Sequence, residues 1–453
     1  MARGQKKETL TPEERLQAAL VPEGEQPYKV PENWCWIHLG ELYQINPKNL
    51  AEDFVDAAFI PMEKIAPGFV NEYSFDVQPW CKAKKGHTQF ADGDVAFAKI
   101  SPCFENRKSM LLNNLPNGIG GGTTELVILR QSHMNQKYTF WFISQEQFIR
   151  GGIATYSGTV GQQRISMDYV RTYPIPVPPL AEQQRIVDRI ESLFAKLDEA
   201  KQKAQDTLDG FETRKAAILH KAFTGELTAQ WRKEHGVGME SWQTKKYSEI
   251  CNIVRGGSPR PAGSPEFYGG NIPFMKVADI TRNTGPYVNS TEYTIKEAGL
   301  KKTRMVDRNT LLLTNSGATL GVPAICTFKT TFNDGIAAFL GLSPDTLLFH
   351  YYFWTSKTAA LRAINKGAAQ PNLNTDIIGN VEISLPRENE QREIVRILND
   401  LLTKEQQAKE AAEGVLEQID LIKKAILARA FRGELGTNDP TEESAAELLC
   451  SWD

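Results

Sequence analysis

Few residues of this 453-residue sequence have the types and spacing that catalysis requires. An amino-methyltransferase holds its target base with an Asn/Asp-Pro-Pro-aromatic motif, and the nearest match, Asn46-Pro47-Lys48-Asn49, lacks the second proline and the aromatic residue. The run Ile119–Gly122 does not follow a strand and open a helix as a glycine-rich cofactor loop does. The sequence contains no GxxxxGK[ST] phosphate loop and no convincing nuclease cluster of two acids and a lysine. It therefore predicts no catalytic residues.

Metal binding is equally poorly supported. The six cysteines stand singly without a CxxC pair, and Cys81 with His87 supplies at most half a zinc site. Scattered thiols favour a reduced, cytoplasmic protein over a disulfide framework. No apolar run approaches the roughly 18 residues of a membrane span, and the polar first ten residues lack the apolar segment of a signal peptide. We predict no metal site, no membrane contact and a cytoplasmic location.

The side chains that could perform a function are basic groups in predicted loops, which suit contacts with phosphates, while Arg, Asn and Gln can read base edges. The net charge is −3, but residues 228–386 carry 17 basic and 12 acidic side chains, whereas residues 387–453 carry 9 and 15. Each basic group could equally be a solvated surface. The candidate DNA-binding residues are Lys82, Lys84, Lys85, His87, Lys99, Arg107, Lys108, Arg164, Arg255, Arg260, Lys276, Arg282, Lys301, Lys302, Arg304 and Asn315.

An internal repeat shows how these groups must be positioned. A shift of 208 residues superimposes residues 162–227 on residues 370–435 without a gap, with 23 of 66 positions identical. The same shift places Trp34 on Trp242 and Glu182 on Glu390. Similarity is strong in the last third of each copy and nearly absent before it. The sequence is therefore a duplication, with two similar scaffold segments and two dissimilar globular parts.

The repeated segments have helical periodicity. Apolar residues recur at alternating spacings of four and three over about five heptads in each copy, with Arg214 and Glu405 as interruptions. Gly225 and Gly433 stand where C-terminal caps belong. Two helices of equal length and frame favour an antiparallel coiled coil, although each could instead pack on its own domain. The predicted seam residues are Ile186, Ile190, Leu193, Leu197, Phe211, Ile218, Ile394, Leu398, Leu401, Val415, Ile419 and Ile426.

The globular parts contain short β-branched and aromatic runs broken by turn residues, which predict mixed α+β domains. Their aromatic stretches, 138–150 and 350–362, have helical spacing that is more typical of core than of base stacking. The predicted fold is α+β, with two pseudo-symmetric domains separated by two long antiparallel coiled-coil helices. The predicted segments are a polar extension (1–30), first domain (31–178), first helix (179–224), linker (225–240), second domain (241–386), second helix (387–432) and acidic tail (433–453).

These motifs resemble those of a known family. Residues 174–194 with 221–232, and residues 384–398 with 425–435, are similar to the two central repeated regions of type I restriction-modification specificity subunits. Trp34 with the following Leu39-Gly40-Glu41-Leu42 resembles the beginning of a target-recognition domain. The segments 93–99 and 309–321 resemble a strand and a Ser-Gly loop of such domains. The departures are Ile100-Ser101-Pro102, in place of that loop in the first domain, and Arg387, where a second proline is common.

The resemblance implies a non-catalytic subunit that binds double-stranded DNA. Each target-recognition domain would read one half of a bipartite, asymmetric site, and the coiled coil would set the spacer and dock two modification (M) subunits. S-adenosylmethionine, ATP and Mg would bind to partner subunits, and no cofactor would bind this chain. The M subunits would methylate adenine, and two restriction (R) subunits would complete the complex. The alternatives are a structural coiled-coil adaptor, which leaves the two divergent domains unexplained, and a fused methyltransferase or nuclease, which the missing motifs disfavour.

Overall fold

The chain folds as two compact units, each built from one mixed domain and part of both long helices. The computed structural model describes residues 12–131, 133–317, 319–364 and 373–446. Unit 1 comprises residues 1–204 and 414–453, and unit 2 comprises residues 205–413. The ends of the predicted extension and tail, residues 1–11 and 447–453, lie outside the described residues. We call residues 35–177 the first head and residues 243–385 the second head.

Among its described residues, the first head has ten strands and five α-helices; one α-helix precedes the head and a long helix follows it. The strands are β1 (Cys35–His38), β2 (Gln44–Ile45), β3 (Asp56–Ile60), β4 (Asp76–Pro79), β5 (Thr88–Ala91), β6 (Val95–Ala98), β7 (Ser109–Leu111), β8 (Ile119–Gly122), β9 (Leu126–Arg130) and β10 (Pro174–Val177). The helices, counting one that precedes the head, are α1 (Pro12–Ala19), α2 (Leu39–Leu42), α3 (Trp80–Ala83), α4 (Gln136–Ile143), α5 (Glu146–Ile153), α6 (Met167–Thr172) and the long α7 (Leu180–Asp209).

Two four-stranded sheets form the first head. The inner sheet has the order β2-β9-β6-β7 and is antiparallel, while the outer sheet has the order β4-β3-β8-β5 with β3 and β8 parallel. Strands β1 and β10 pair antiparallel, so the chain enters and leaves the head at one place. All four residues of β6 are buried, as expected for a strand that runs through the core.

Unit 2 repeats this set of elements. Its helices are α8 (Phe211–Phe223), α9 (Ala229–Glu234), α10 (Tyr247–Ile250), α11 (Val277–Thr281), α12 (Leu347–Ile364), α13 (Thr375–Gly379) and α14 (Glu388–Ala430). Its strands are β11 (Gln243–Lys246), β12 (Asn252–Arg255), β13 (Tyr268–Met275), β14 (Tyr287–Val288), β15 (Tyr293–Ile295), β16 (Arg304–Val306), β17 (Thr310–Thr314), β18 (Pro323–Cys326), β19 (Thr330–Phe332), β20 (Ile336–Leu340) and β21 (Glu382–Leu385).

The second head has the topology of the first. Its inner sheet, β12-β20-β17-β18, gains one edge strand, β14, and its outer sheet has the order β15-β13-β19-β16 with β13 and β19 parallel. Strands β11 and β21 pair as β1 and β10 do. The predicted α+β pair of pseudo-symmetric domains is therefore confirmed, although the two heads share little sequence.

The aromatic stretches lie in the core, as predicted. In unit 1, the rings of Tyr138 and Phe142 on α4 lie 5.1 and 5.2 Å from Phe431, the residue after α14. In unit 2, Phe353 on α12 lies 5.4 Å from Phe223 on α8, and Trp354 is fully buried. Edge-to-face aromatic pairs therefore attach each head to its part of the long helices.

The long helices pack antiparallel within each unit. In unit 1, Lys423 Nζ on α14 lies 2.6 Å from Asp198 Oδ1 on α7. In unit 2, Arg214 Nε on α8 lies 2.8 Å from Glu405 Oε2 on α14, so the two interruptions of the apolar pattern face one another. Positive φ angles at Gly225 and Gly433, 83° and 73°, close the helices as the sequence predicts.

The first helix is interrupted, whereas α14 runs unbroken for 43 residues. The chain predicted to be helical over residues 179–224 is divided at Gly210 into α7 and α8, although Gly210 keeps helical dihedrals (φ −79°, ψ −11°). The guanidinium of Arg214 packs over this glycine and donates to the carbonyl of Thr207, 2.8 Å away. A side chain at position 210 would collide with that guanidinium, so the seam ion pair and the glycine belong together.

Most predicted seam residues are covered. Val415 is the exception: it is 40% exposed, so its burial does not support its predicted place in the seam. Ala412 and Ile419, three residues before it and four after it, are buried. The pattern also missed the buried Phe194 and Leu427. The buried seam residues are Ile186, Ile190, Ile394, Leu398 and Ile419, and the half-buried ones are Leu193, Leu197, Phe211, Ile218, Leu401 and Ile426.

This difference gives a matched test of the seam. Leu398→Ala empties a fully buried site in unit 2 and should lower the free energy of unfolding by about 2–5 kcal/mol. Val415→Ala removes a partly exposed side chain and should change it by less than about 0.5 kcal/mol. Urea denaturation followed by circular dichroism measures both. Equal losses in the two variants would contradict the observed seam.

Candidate nucleic-acid interface

A buried carboxylate at the start of α7 positions the first head. Glu182 is fully buried and accepts hydrogen bonds from Trp34 Nε1 at 2.7 Å, Asn438 Nδ2 at 2.8 Å and Thr437 Oγ1 at 3.3 Å. Trp34 precedes β1, while Asn438 and Thr437 follow α14. Burial raises the pKa of Glu182, and the hydrogen bonds from Asn438 and Trp34 oppose that rise. One side chain thus joins the beginning of the head, the long helix and the C-terminal segment.

Glu390 occupies the same position in unit 2. It accepts from Trp242 Nε1 at 3.1 Å, Thr228 Oγ1 at 2.7 Å and Arg232 Nη1 at 2.7 Å. Tryptophan and glutamate are the duplicated pair seen in the sequence, but here the third donor is a guanidinium that is only 7% exposed. We refer to these two arrangements as the Glu182 hub and the Glu390 hub.

In the first head, one basic group lies on α3 and the residues after it. Lys82 and Lys85 are exposed, and within the described residues no hydrogen bond or ion pair engages their side chains. Lys84 forms an ion pair with Asp53 in the loop before β3. The His87 ring packs 4.8 Å from Phe59, and its Nδ1 lies 3.1 Å from the carbonyl of Ala83. Lys82 and Lys85 are therefore the side chains of this group that are available to a polyanion.

A second group lies where β6 and β9 meet. Arg164 binds both carboxylate oxygens of Glu125, with Nε–Oε2 and Nη2–Oε1 distances of 2.9 and 2.7 Å. The Lys99 main chain is held on both sides, because its N–H donates to the Glu125 carbonyl and its carbonyl accepts from Ile165 N–H. The Lys99 side chain has no hydrogen-bond partner among the described residues. Within the described residues, this surface therefore presents the unpaired ammonium of Lys99 near the guanidinium of Arg164, whose charge is neutralised by Glu125.

Arg107 and Lys108 point into the head. Arg107 is paired with Glu146, donates from Nε to the Ser144 carbonyl at 3.0 Å and lies 4.9 Å above the Phe69 ring. Its assignment as a DNA contact stays a prediction, which its ion pair with Glu146 and its 10% exposed side chain do not favour. Lys108 likewise donates to the carbonyl of Met62 at 2.8 Å.

Glu146 explains why this guanidinium lies inside. Burial acts to raise its pKa, but hydrogen bonds from Arg150 and Lys424 and the charge of Arg107 outweigh burial and lower it. Because Lys424 belongs to α14, the cluster attaches the 100–108 loop to the long helix. Arg107 is therefore a positioning residue of the first head.

In the second head, several of the predicted cations surround an acidic residue. Arg255 Nε donates to the main-chain carbonyl of Asp334 at 2.6 Å, Ser258 Oγ donates to its Oδ1 at 2.6 Å, and Arg260 Nη2 lies 3.8 Å from its Oδ2. Arg282 is paired with Glu292 at 2.9 Å. Lys276 Nζ lies 3.1 Å from the centre of the Tyr293 ring. These contacts hold the loops, while the Arg260 and Arg282 side chains stay more than two-thirds exposed.

Lys301, Lys302 and Arg304 are the counterpart of the α3 group. The 3-10 turn Glu297–Lys302 connects β15 to β16, as α3 connects β4 to β5 in the first head. All three side chains are exposed, and Lys302 Nζ lies 5.4 Å from the Phe267 ring. Two basic groups that the sequence showed separately therefore occupy the same place in two equivalent heads.

Asn315 follows β17 and is 1% exposed. Its main chain is bonded on both sides, but neither its Nδ2 nor its Oδ1 has a hydrogen-bond partner within the described residues. It is the one predicted DNA-binding side chain that the structure buries completely.

The hubs escaped the sequence-based site prediction. The sequence signal for them was that one shift superimposes Trp34 on Trp242 and Glu182 on Glu390. That signal indicated a duplicated scaffold but did not show that the tryptophan and the glutamate are in contact. Glu125 and Asp334, which hold the basic loops, had no signal at all. Within the described residues, no group of three or more His, Cys, Asp and Glu side chains could hold a metal ion, and no helix is long and apolar enough to cross a membrane.

Comparison with known proteins finds a family whose model matches both copies of the duplicated architecture. The family model "Type I restriction modification DNA specificity domain" matches residues 31–208 and again residues 239–414. The specificity subunits of the type I restriction enzymes EcoAI and EcoEI from Escherichia coli are each 36% identical to this chain over 220 residues. That stretch covers 47% of this chain and 37% of each relative, so the match spans little more than a third of their length.

Solved structures share the fold. The HsdS subunit from Thermoanaerobacter tengcongensis superimposes with a TM-score of 0.68 at 21% identity, covering 90% of this chain and 99% of that chain. A chain from a study of complex assembly and conformational transition of the type I R-M system gives a TM-score of 0.64 at 22% identity, covering 90% and 100%.

The two hubs differ in one donor, and this difference is testable. Glu390→Gln leaves the buried Arg232 without an anionic partner and should lower the free energy of unfolding by about 3–5 kcal/mol. Glu182→Gln keeps neutral donors around a neutral acceptor and should cost less.

The pKa of Glu182 is raised in the folded state, so this side chain makes the stability of the folded protein depend on pH. Its favourable contribution to the free energy of unfolding is complete below its pKa in the unfolded chain and is lost as the pH rises through its pKa in the folded chain. The stability of Glu182→Gln relative to wild type should therefore improve from pH 4 to pH 7. Thermal unfolding across that range measures this, and a pH-independent difference would contradict it.

Proposed function

Because the chain belongs to the family of type I restriction-modification DNA specificity domains, we propose that it is the specificity subunit of such a system and that each head reads one half of a bipartite, asymmetric DNA site. The observation that carries the proposal is the pair of heads with one topology and different exposed side chains. Two heads with the same topology can bind a duplex in the same orientation, whereas the different side chains that they expose can select different bases.

We propose that the exposed cations contact the phosphate backbone of DNA. Lys82 and Lys85 on and after α3, and Lys301, Lys302 and Arg304 at the equivalent place in the second head, lack acidic partners among the described residues. Lysine side chains without a partner can neutralise phosphates and release counterions, which supplies affinity without sequence preference. Base contacts would come from neighbouring loops, including those that Glu125 and Asp334 hold.

The proposed role of the long helices is to set the spacer and to dock two M subunits. Their antiparallel packing within each unit and the two hubs give the heads a firm attachment, which a fixed spacer requires. We propose that S-adenosylmethionine is bound by the M subunits, and ATP and Mg by two R subunits, and that this chain, in the cytoplasm, binds no cofactor and performs no catalytic step.

Independent heads lead to a test by exchange. Replacing residues 243–385, which begin on β11 and end on β21, by the second head of another specificity subunit leaves Trp242 and Glu390 in place. The methylated motif should then change in one half-site and keep the other. Single-molecule sequencing of DNA from cells that express the chimera with its M subunits gives the motif. A change in both halves would contradict independent reading, and the loss of sequence preference in the wild-type complex would favour the structural adaptor.

The cation assignment has its own test. Each phosphate contact contributes about −0.9 to the slope of log affinity against log salt concentration, so Lys82→Gln with Lys85→Gln should reduce that slope by about 2 in magnitude. The control is Lys29→Gln with Lys137→Gln, which removes the same charge from unit 1 outside the α3 group. Fluorescence anisotropy of the complex with M subunits on a short duplex measures both. Equal slopes in the two variants would contradict phosphate contacts at α3.

A further inference from the structure

The Asn315 amide is a buried polar group without a hydrogen-bond partner among the described residues. Its N–H donates to the Gly335 carbonyl at 2.9 Å, and its carbonyl accepts from Leu373 N–H at 2.7 Å, so the main chain is fixed on both sides. The side chain is 1% exposed, yet Nδ2 and Oδ1 have no partner among the described residues. Leaving a buried amide unbonded is costly, and native proteins rarely do so without a functional reason.

Two polar side chains lie beside Gly335, whose carbonyl accepts from Asn315 N–H. A Cβ atom built on Gly335 would lie 2.9 Å from Ser316 Oγ and 3.5 Å from Asn333 Nδ2. The Oδ1 of Asn333 is a further buried atom without a partner in the described chain. Two asparagine side chains with unused hydrogen-bonding capacity thus lie at the ends of β17 and β19.

Cations lie close to these amides. Lys276 follows β13, whose last residue, Met275, accepts from Asn333 N–H. Arg255 and Arg260 are held by Asp334, the residue after Asn333. Amides and cations on neighbouring residues can combine base-edge recognition with phosphate attraction, which is the chemistry that duplex DNA requires.

The first head has a different side chain at the same main-chain position. Lys99 follows β6 as Asn315 follows β17, and its carbonyl accepts from Ile165 N–H at 3.0 Å. Ile165 and Leu373 correspond under the 208-residue repeat. The framework therefore fixes this position in both heads and leaves the side chain to vary.

We infer that Asn315 is a specificity-determining residue that reads an adenine in the half-site of the second head. An asparagine amide offers one donor and one acceptor, and adenine presents the complementary N7 acceptor and N6 donor in the major groove. The inference rests on the proposed function and extends it to one residue and one base. The side chain is 1% exposed in the free chain, so the inference includes an opening of its surroundings when the base binds.

The test separates recognition from folding. Asn315→Leu keeps the side-chain size and removes the unsatisfied amide, so the melting temperature should be unchanged or higher. Binding should lose preference at one base pair of the second half-site, by about 5- to 150-fold, while the first half-site stays unchanged. The readouts are thermal unfolding and competition binding of the complex with M subunits, on duplexes substituted at each position of the wild-type motif.

Asn374→Ala is the matched control. Asn374 lies in the same head and caps α13 by accepting from Ile377 N–H at 2.8 Å. Its replacement should lower the melting temperature and leave the base preferences unchanged. The inference is overturned if Asn315→Leu destabilises the chain as Asn374→Ala does, or if it keeps every base preference. A wild-type complex without a bipartite motif would instead overturn the proposed function.

Discussion

Each half of this protein depends on one carboxylate that water cannot reach. A buried carboxylate is tolerated only when donors surround it, because removal from water otherwise costs several kcal/mol. Glu182 and Glu390 meet that requirement with donors from segments far apart in the chain, Trp34 and Asn438 for one, Trp242 and Arg232 for the other. The angle at which each head leaves its helix is therefore determined by a polar contact that few other geometries satisfy.

The same constraint separates the scaffold common to both units from the loops that differ. The hubs, the β1–β10 and β11–β21 pairs and the sheet topology recur in both units, whereas the loops around them differ. A surface that can change while its support stays constant suits the proposed reading of two different half-sites. Lys99 and Asn315 illustrate this division, since equivalent main-chain hydrogen bonds hold an ammonium in one head and an amide in the other.

Polar pairs also specify the helix register. The ion pair of Arg214 with Glu405 replaces an apolar contact in the seam, and Lys423 with Asp198 has the corresponding role in unit 1. Sliding either helix by one turn would leave a charge facing apolar side chains, which a buried polar position is well suited to prevent. The Arg214–Glu405 pair therefore contributes to alignment more than to stability, because half-exposed ion pairs are individually weak, whereas Lys423 of the other pair is itself buried.

The sequence by itself determined the duplication, the two long helices with their glycine caps, the α+β heads and the aromatic core, because periodicity and turn residues are local properties. It also located the basic groups. Only the tertiary structure decided which cations have partners: within the described part of the chain Lys82 and Lys85 have none, whereas Arg107 is paired with Glu146 inside the head. It likewise decided that Val415 faces outward and that Asn315 is buried. The physical reason is that partners such as Glu182 and Asn438 are 256 positions apart, and no local pattern encodes which distant polar side chains will meet.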